Sequence, residues 1–139
     1  MLTVTFRYTP ESVFNTFPWP QSPTIKQINS VAKAARELQR VRNAALKGIK
    51  SGLRAVYQTM ELPGNNPLKD AHTALDAAVL EAYGFDPDLD LLVQLLKLNH
   101  SVASRIADGK AVTSPGIPAG YRNPERLISD DCVKPEPLQ

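Results

Sequence analysis

Residues 24–49 read TIKQINSVAKAARELQRVRNAALKGI, and this stretch decides the fold. Thr24 followed three residues later by Gln27 is a capping box, the pattern that opens a helix. The apolar residues that follow recur at helical spacing on one face. They are Ile28, Val31, Ala35, Leu38, Ala45 and Ile49. We therefore predict one long amphipathic helix that ends near Ile49.

The other face of this helix is basic. With each residue advancing by about 100°, five cationic side chains form a stripe. They are Lys26, Lys33, Arg36, Arg40 and Lys47. Arg42 instead projects into the apolar face, so we expect it to extend its charged end to water or to pair with a carboxylate of a neighbouring helix.

Charge is segregated along the chain, although the net charge is only +2. Residues 24–54 contain eight Lys and Arg and one acid, whereas residues 61–90 contain seven acids and one Lys. Such asymmetry indicates a nucleic-acid face. Equally, the two segments could neutralise each other inside one bundle, and the sequence leaves both interpretations open.

Three more helices are predicted. Ser51 can cap a short one, and Asn66-Pro67 opens a third that Gly84 ends. Asp86-Pro87 repeats this start signal for a fourth helix, which runs to about Ala107. Apolar residues cover more than half of its circumference, so we expect this helix to lie at the centre of the bundle.

Asn99 falls in the middle of the apolar stripe of the fourth helix, beside Leu92, Leu96 and Ala103. A buried amide without partners costs about 1–3 kcal/mol. We therefore expect Asn99 to form a hydrogen bond with a backbone carbonyl or with another helix.

The segments on either side of the helices are not helical. Residues 2–8 alternate between apolar and polar types, which predicts a strand that completes a sheet outside the chain or stays loosely ordered. Three prolines within 18–23 make the next stretch extended. The predicted fold is mainly α: an extended lead-in (1–23), a small bundle of about four helices (24–109) and an irregular, proline-rich tail (110–139).

No complete active site can be found in the sequence. Two histidines and one cysteine are too few and too scattered for a zinc site, and no glycines form G-x-G. His72 lies four residues before Asp76, where an i, i+4 hydrogen bond is available, and we interpret it and His100 as structural. Asp88 and the Asp108-Gly109-Lys110 run resemble a nuclease signature, but a helix of roughly 30 Å separates them.

The compartment predicted is the cytoplasm. No apolar run is long enough for a membrane span, and the N-terminus lacks the pattern of a secretory signal. The single cysteine, Cys132, has no partner for an internal disulfide, which fits a reducing environment.

One set of motifs suggests a family. The run Thr16-Phe17-Pro18-Trp19-Pro20 precedes the long helix, and further matches follow in order. These are Leu53-Arg54-Ala55-Val56-Tyr57, Leu62-Pro63, Lys69-Asp70-Ala71-His72, Leu75-Asp76, Ala78-Val79 and Tyr83-Gly84. Together with Arg7-Tyr8, Ser12-Val13-Phe14-Asn15 and the predicted helices, they cover about residues 6–107. This combination resembles the C-terminal part of the MmeI-like adenine-specific DNA methyltransferases, which are type II restriction-modification enzymes and related phage-defence methylases.

The resemblance implies a non-catalytic C-terminal helical domain that supports target recognition. Its partners would be the target-recognition and catalytic domains, with the DNA backbone as a further candidate at the basic stripe. The parent enzyme would use S-adenosylmethionine. In this chain, neither Asn66-Pro67-Leu68 nor Asn123-Pro124-Glu125 matches the family's catalytic Asp/Asn-Pro-Pro-aromatic motif. A fragment, a separate subunit and a gene remnant would all fit.

Two alternatives stay open. Phe17 and Trp19 either anchor the extended lead-in on a neighbouring surface or stack on a flipped base. The whole chain could also be a free-standing helical module of the antitoxin or regulator type, which binds a partner protein.

The first prediction concerns methyl transfer. Because the glycine loop and the Pro-Pro motif are both missing, we expect the purified chain to bind no S-adenosylmethionine in calorimetry and to methylate no DNA. Methylated product formed by this chain alone would contradict the prediction.

Overall fold

The computed structural model describes Thr9, Val13 and residues 16–118 and 120–130. Its helices are α1 (Ile25–Gly48), α2 (Gly52–Gln58), α3 (Pro67–Tyr83) and α4 (Leu91–Ala107). The mainly α fold with four helices is thus confirmed. The strand predicted at residues 2–8 lies outside the described residues. No helix in the described part of the chain is long and apolar enough to cross a membrane.

The capping box of α1 is formed as predicted. Thr24 Oγ1 accepts from the Gln27 amide at 3.2 Å, and Gln27 Oε1 accepts from the Thr24 amide at 2.8 Å. The Nε2 group of Gln27 also donates to the carbonyl of Glu81 in the last turn of α3, at 2.8 Å. One side chain therefore caps α1 and fixes its start against the end of α3.

Both ends of α3 follow the sequence signals. Asn66 accepts from the amides of Leu68 and Lys69 at 3.0 and 3.2 Å, and it donates to the carbonyl of Thr59 at 2.9 Å. Gly84 ends the helix in the left-handed conformation, with φ of 67°. This conformation is routine for glycine and strained for residues that carry a Cβ atom.

The predicted cap of α2 is wrong. Ser51 occupies the position before the helix, but its side chain makes no capping hydrogen bond. Its φ and ψ of −92° and 9° lie outside the extended region that a capping residue normally adopts. The helix continues into a 3-10 turn at Thr59–Glu61.

The core lies where α1 and α3 pack along each other, with α2 beside them. Among the described residues, Val56 of α2 is fully buried, and Leu68 and Ala71 of α3 and Pro18 of the lead-in are buried. Most other apolar side chains of α1 and α3 are half-buried. A core of this size leaves much apolar surface available for a partner.

The start predicted for α4 is wrong by four residues, since the cap is Asp90 and not Asp86. Asp86 instead forms a turn, in which its carboxylate accepts from the Asp88 amide at 2.9 Å. Asp90 takes the capping position and accepts from the Val93 amide at 2.9 Å. Gln94 ties the turn to the helix, since Asp86 donates its amide to Oε1 of Gln94 at 2.8 Å.

The central position predicted for α4 is also wrong. This helix makes no substantial contact with another helix among the described residues. Leu92, Leu96 and Ile106 are 74%, 56% and 59% exposed. The apolar face of α1 is covered by α3, so α4 is left without a helical partner. Asn99 is exposed as well, contrary to the prediction, because the stripe that contains it faces water.

The turn after α3 gives a paired test of backbone geometry. Replacing Gly84 by alanine forces a Cβ atom into the left-handed region and should lower the free energy of unfolding by about 1–2 kcal/mol. Gly48, the last residue of α1, has an ordinary φ and open space around it. Gly48→Ala should therefore raise this free energy by about 0.5 kcal/mol. Urea denaturation measures both, and equal effects would contradict the assignment.

Candidate nucleic-acid interface

A basic groove runs between α1 and the tail. One wall carries Lys33, Arg36 and Arg40 of α1, and the facing wall carries Arg122 and Arg126. The groove encloses about 820 Å³ and is open to solvent. Its remaining lining includes Asn29, Glu37, Tyr121 and Asn123. Among the described residues, five cationic side chains thus face one space that contains a single carboxylate.

The tail is held in place by the lead-in. Gln21 Oε1 accepts from the Thr113 amide at 2.9 Å, and its Nε2 group donates to the Thr113 carbonyl at 3.3 Å. The hydroxyl of Thr113 donates to the backbone carbonyl of Gln21 at 2.8 Å. These three bonds join positions that are far apart in the sequence.

Two further contacts position the wall that the tail contributes. Tyr121 donates its hydroxyl to Oδ1 of Asn29 on α1. Leu127 lies at an apolar cavity that Trp19 and Ile28 also line. A 3-10 turn at Pro124–Leu127 connects the two anchors and carries Arg126.

Glu37 is the one carboxylate of the groove and is already engaged. Arg40 donates from Nε to Oε2 at 2.8 Å and from Nη2 to Oε1 at 2.6 Å. This hydrogen bonding holds the pKa of the Glu37 carboxyl below its ordinary value. Both side chains are more than half exposed, so the pair contributes little to stability. Its effect is to reduce the positive charge of the groove.

Neutralisation between helices is not seen. Within the described ranges both ion pairs are local: Arg40 with Glu37, and Lys110 with Asp108. The charges of the basic stripe are therefore not cancelled by ion pairs with α3. Lys26 and Lys47 belong to the stripe and are exposed, but they do not line the groove.

Of the two arrangements expected for Arg42, the structure shows the one without a carboxylate partner. It is half-buried beside Leu38 and Leu75, and in the described part of the chain no carboxylate lies within ion-pair distance of it.

The sequence analysis missed Tyr121, Arg122, Asn123 and Arg126, because the tail was interpreted as irregular. A signal for this segment exists. Asn123-Pro124 repeats the order of Asn66-Pro67, which opens α3. The same signal here opens the short turn that places Arg126 opposite α1.

The aromatic and proline run of the lead-in packs on the bundle. Pro18 is buried, and its carbonyl accepts from the Tyr83 hydroxyl at 3.0 Å. Partial burial raises the pKa of Tyr83. Trp19 and Pro20 line an apolar cavity of about 250 Å³, which Leu127 also lines. Phe17 is 41% exposed.

One polar atom in this region lacks a partner. The indole N–H of Trp19 is buried and meets no acceptor among the described residues. An unsatisfied buried donor costs about 1–3 kcal/mol.

The remaining motif residues lie on α3 and do not join the groove. His72 Nε2 lies 3.3 Å from the Tyr57 hydroxyl, and the two rings meet edge to face. The available bond from His72 to Asp76 is not formed, and Asp76 is exposed. Leu75 is half-buried, and Gly84 ends the helix. In the described ranges no three His, Cys, Asp or Glu side chains could share a metal ion.

The clamp between Gln21 and Thr113 can be tested directly. Gln21→Ala removes the acceptor of the Thr113 amide, so this amide should exchange with solvent deuterium about ten times faster. Gln58→Ala is a matched control, because Gln58 is exposed at the end of α2. Unchanged protection of Thr113 in the first variant would show that the tail is held by other contacts.

Comparison with known proteins gave no match: no family model, no curated protein and no solved structure is significantly similar to this chain.

Proposed function

We propose that this chain is a non-catalytic helical domain of a DNA adenine methyltransferase of the restriction-modification or phage-defence type. It supports target recognition and holds the DNA backbone in the basic groove. The identity of the parent rests on the motif resemblance from Thr16 to Gly84. The DNA contact rests on the groove.

The observation that carries the proposal is the cationic lining of the groove. Lys33, Arg36 and Arg40 face Arg122 and Arg126, and of these five only Arg40 has an anionic partner in the described part of the chain. Several cations along one groove suit a row of phosphates, whose neutralisation releases counterions. Arginine also donates two parallel hydrogen bonds to a phosphate.

The contact proposed is with phosphates and not with base edges. The amide oxygen of Asn29 is engaged by Tyr121, so one of the two amides that could read a base is already bonded. Backbone contacts fix the position of a protein on the duplex without selecting a sequence. Target selection would therefore belong to the separate recognition domain.

Methyl transfer itself is assigned to other domains of the parent. The proposal places S-adenosylmethionine binding in those domains, because this sequence has no glycine-rich loop and no Asp/Asn-Pro-Pro-aromatic motif. The partners proposed are therefore the catalytic and target-recognition domains, together with DNA.

The free-standing interaction module remains a second candidate, and one observation favours it. Leu92, Leu96 and Ile106 of α4 are exposed, which suits a protein partner. Binding of DNA in the groove supports the first candidate, whereas the second requires only a protein partner.

We therefore predict the effect of removing two groove cations from opposite walls. The double variant Arg36→Gln and Arg126→Gln should weaken binding to every duplex sequence alike and reduce the slope of affinity against salt by about two. The matched control is Lys50→Gln with Lys97→Gln, which removes the same charge from exposed positions outside the groove. Fluorescence anisotropy with duplexes of unrelated sequence measures both variants.

A second variant changes the charge of the groove in the opposite direction, by removing the negative charge of Glu37. Glu37→Gln removes the groove's carboxylate and frees Arg40, so affinity should rise and the salt slope should steepen. Asp76→Asn makes the same charge change on α3, away from the groove. If each groove variant has the same DNA affinity and salt slope as its control, the groove is only a solvated surface and does not contact DNA.

A further inference from the structure

The exposed side of α4 has a regular pattern. Five of its exposed residues recur at alternating spacings of four and three: Leu92, Leu96, Asn99, Ala103 and Ile106. We call these five residues the α4 seam. This spacing is the heptad pattern by which one helix packs along another in a coiled coil. The seam spans roughly 20 Å of helix at 1.5 Å per residue.

We infer that the α4 seam is a self-association surface, at which two copies of this chain pair through antiparallel α4 helices. The inference does not depend on the DNA contact proposed above, because the seam and the groove share no residue.

The order of residue types in the seam supports a second copy as the partner. Two apolar residues lie on each side of Asn99, so the seam reads apolar, apolar, polar, apolar, apolar in both directions. A two-fold axis beside Asn99 brings the two Asn99 amides next to each other. An amide both donates and accepts hydrogen bonds, so each one satisfies the other, whereas an apolar partner would leave it unsatisfied.

Charge complementarity sets the antiparallel direction. The approach to α4 carries three acids, Asp86, Asp88 and Asp90. Its far end carries Arg105 and the Lys110–Asp108 ion pair, so Arg105 is the cation there without an anionic partner in the described part of the chain. Antiparallel pairing places the acidic end of one helix beside the cationic end of the other, and it also opposes the two helix dipoles. Parallel pairing would bring the three acids of each copy together.

A groove beside the seam is shaped for side chains of the second copy. It holds about 300 Å³, and its walls are formed by Phe17 and Pro18 on one side and by Leu92, Leu96 and Asn99 on the other. Antiparallel pairing brings the Ala103 and Ile106 end of the second copy over this groove. The exposed Phe17 ring then becomes part of the interface.

The test begins with the mass of the full chain in solution. Sedimentation velocity from micromolar to submillimolar concentration should show a reversible monomer–dimer equilibrium. Leu96→Lys should weaken dimerisation by about 100-fold or more, because a symmetric dimer loses the leucine twice. Ser101→Lys adds the same charge at an exposed position of α4 outside the seam and should leave dimerisation nearly unchanged. Circular dichroism checks that both variants keep their helix content.

Cross-linking then determines the direction. In a Cys132→Ser background, a mixture of Leu92→Cys and Ile106→Cys chains should be joined by a short bismaleimide. Leu92→Cys alone should not be joined to itself, because the antiparallel axis separates the two positions by roughly 20 Å.

Three outcomes would overturn the inference. If the chain stays monomeric at every concentration, the α4 seam does not mediate self-association, and its partner would be the chain's own N-terminal residues or another protein. If Leu96→Lys does not weaken dimerisation, the two copies associate through a surface other than the α4 seam. Efficient joining of Leu92→Cys to itself would show parallel pairing. None of these outcomes changes the expected salt dependence of DNA binding, so the two proposals fail separately.

Discussion

The packing of α1 against α3 is the interaction on which the rest of the structure depends. Few apolar side chains among the described residues are buried, and α1 and α3 make the most extensive contact between helices there, so this contact forms most of the interior. Gln27 fixes the start of α1 to the end of α3 through the Glu81 carbonyl. Tyr83, in the same turn of α3, holds the lead-in through Pro18. The lead-in and, through Gln21, the tail are therefore positioned by one end of this helix pair.

This arrangement divides the surface of α1 between two tasks. Its apolar face is used by α3, so the basic stripe is turned outward and remains accessible. The tail then returns over α1 and adds Arg122 and Arg126 to that stripe. The groove is therefore a product of long-range contacts, since its two walls are separated by about eighty residues of sequence. Loss of the tail's contacts at Thr113, Tyr121 and Leu127 together would reduce it to one cationic helix face.

Local signals predicted the four helices, although they were wrong at the Ser51 cap and at the start of α4. Long-range packing explains the position of α4 and the second wall of the groove. Thr24, Asn66 and Gly84 form their capping contacts with residues a few positions away. The start of α1 and both ends of α3 could therefore be predicted from the local sequence alone. The position of α4 could not, because its apolar pattern shows that a partner is needed but not whether this chain supplies one. The second wall of the groove was missed for a similar reason: Tyr121 and Leu127 depend on contacts with distant residues.

Trp19 makes the junction of lead-in and tail optically visible. It is the single tryptophan of the chain, and it lines the same cavity as Leu127 of the tail. Indole emission depends on the polarity around the ring and on hydrogen bonding at its N–H group. Withdrawal of the tail would admit water to a donor that is buried without an acceptor. The chain thus carries an intrinsic fluorophore at the contact that completes its cationic groove, and docking of the tail can be followed without an added label.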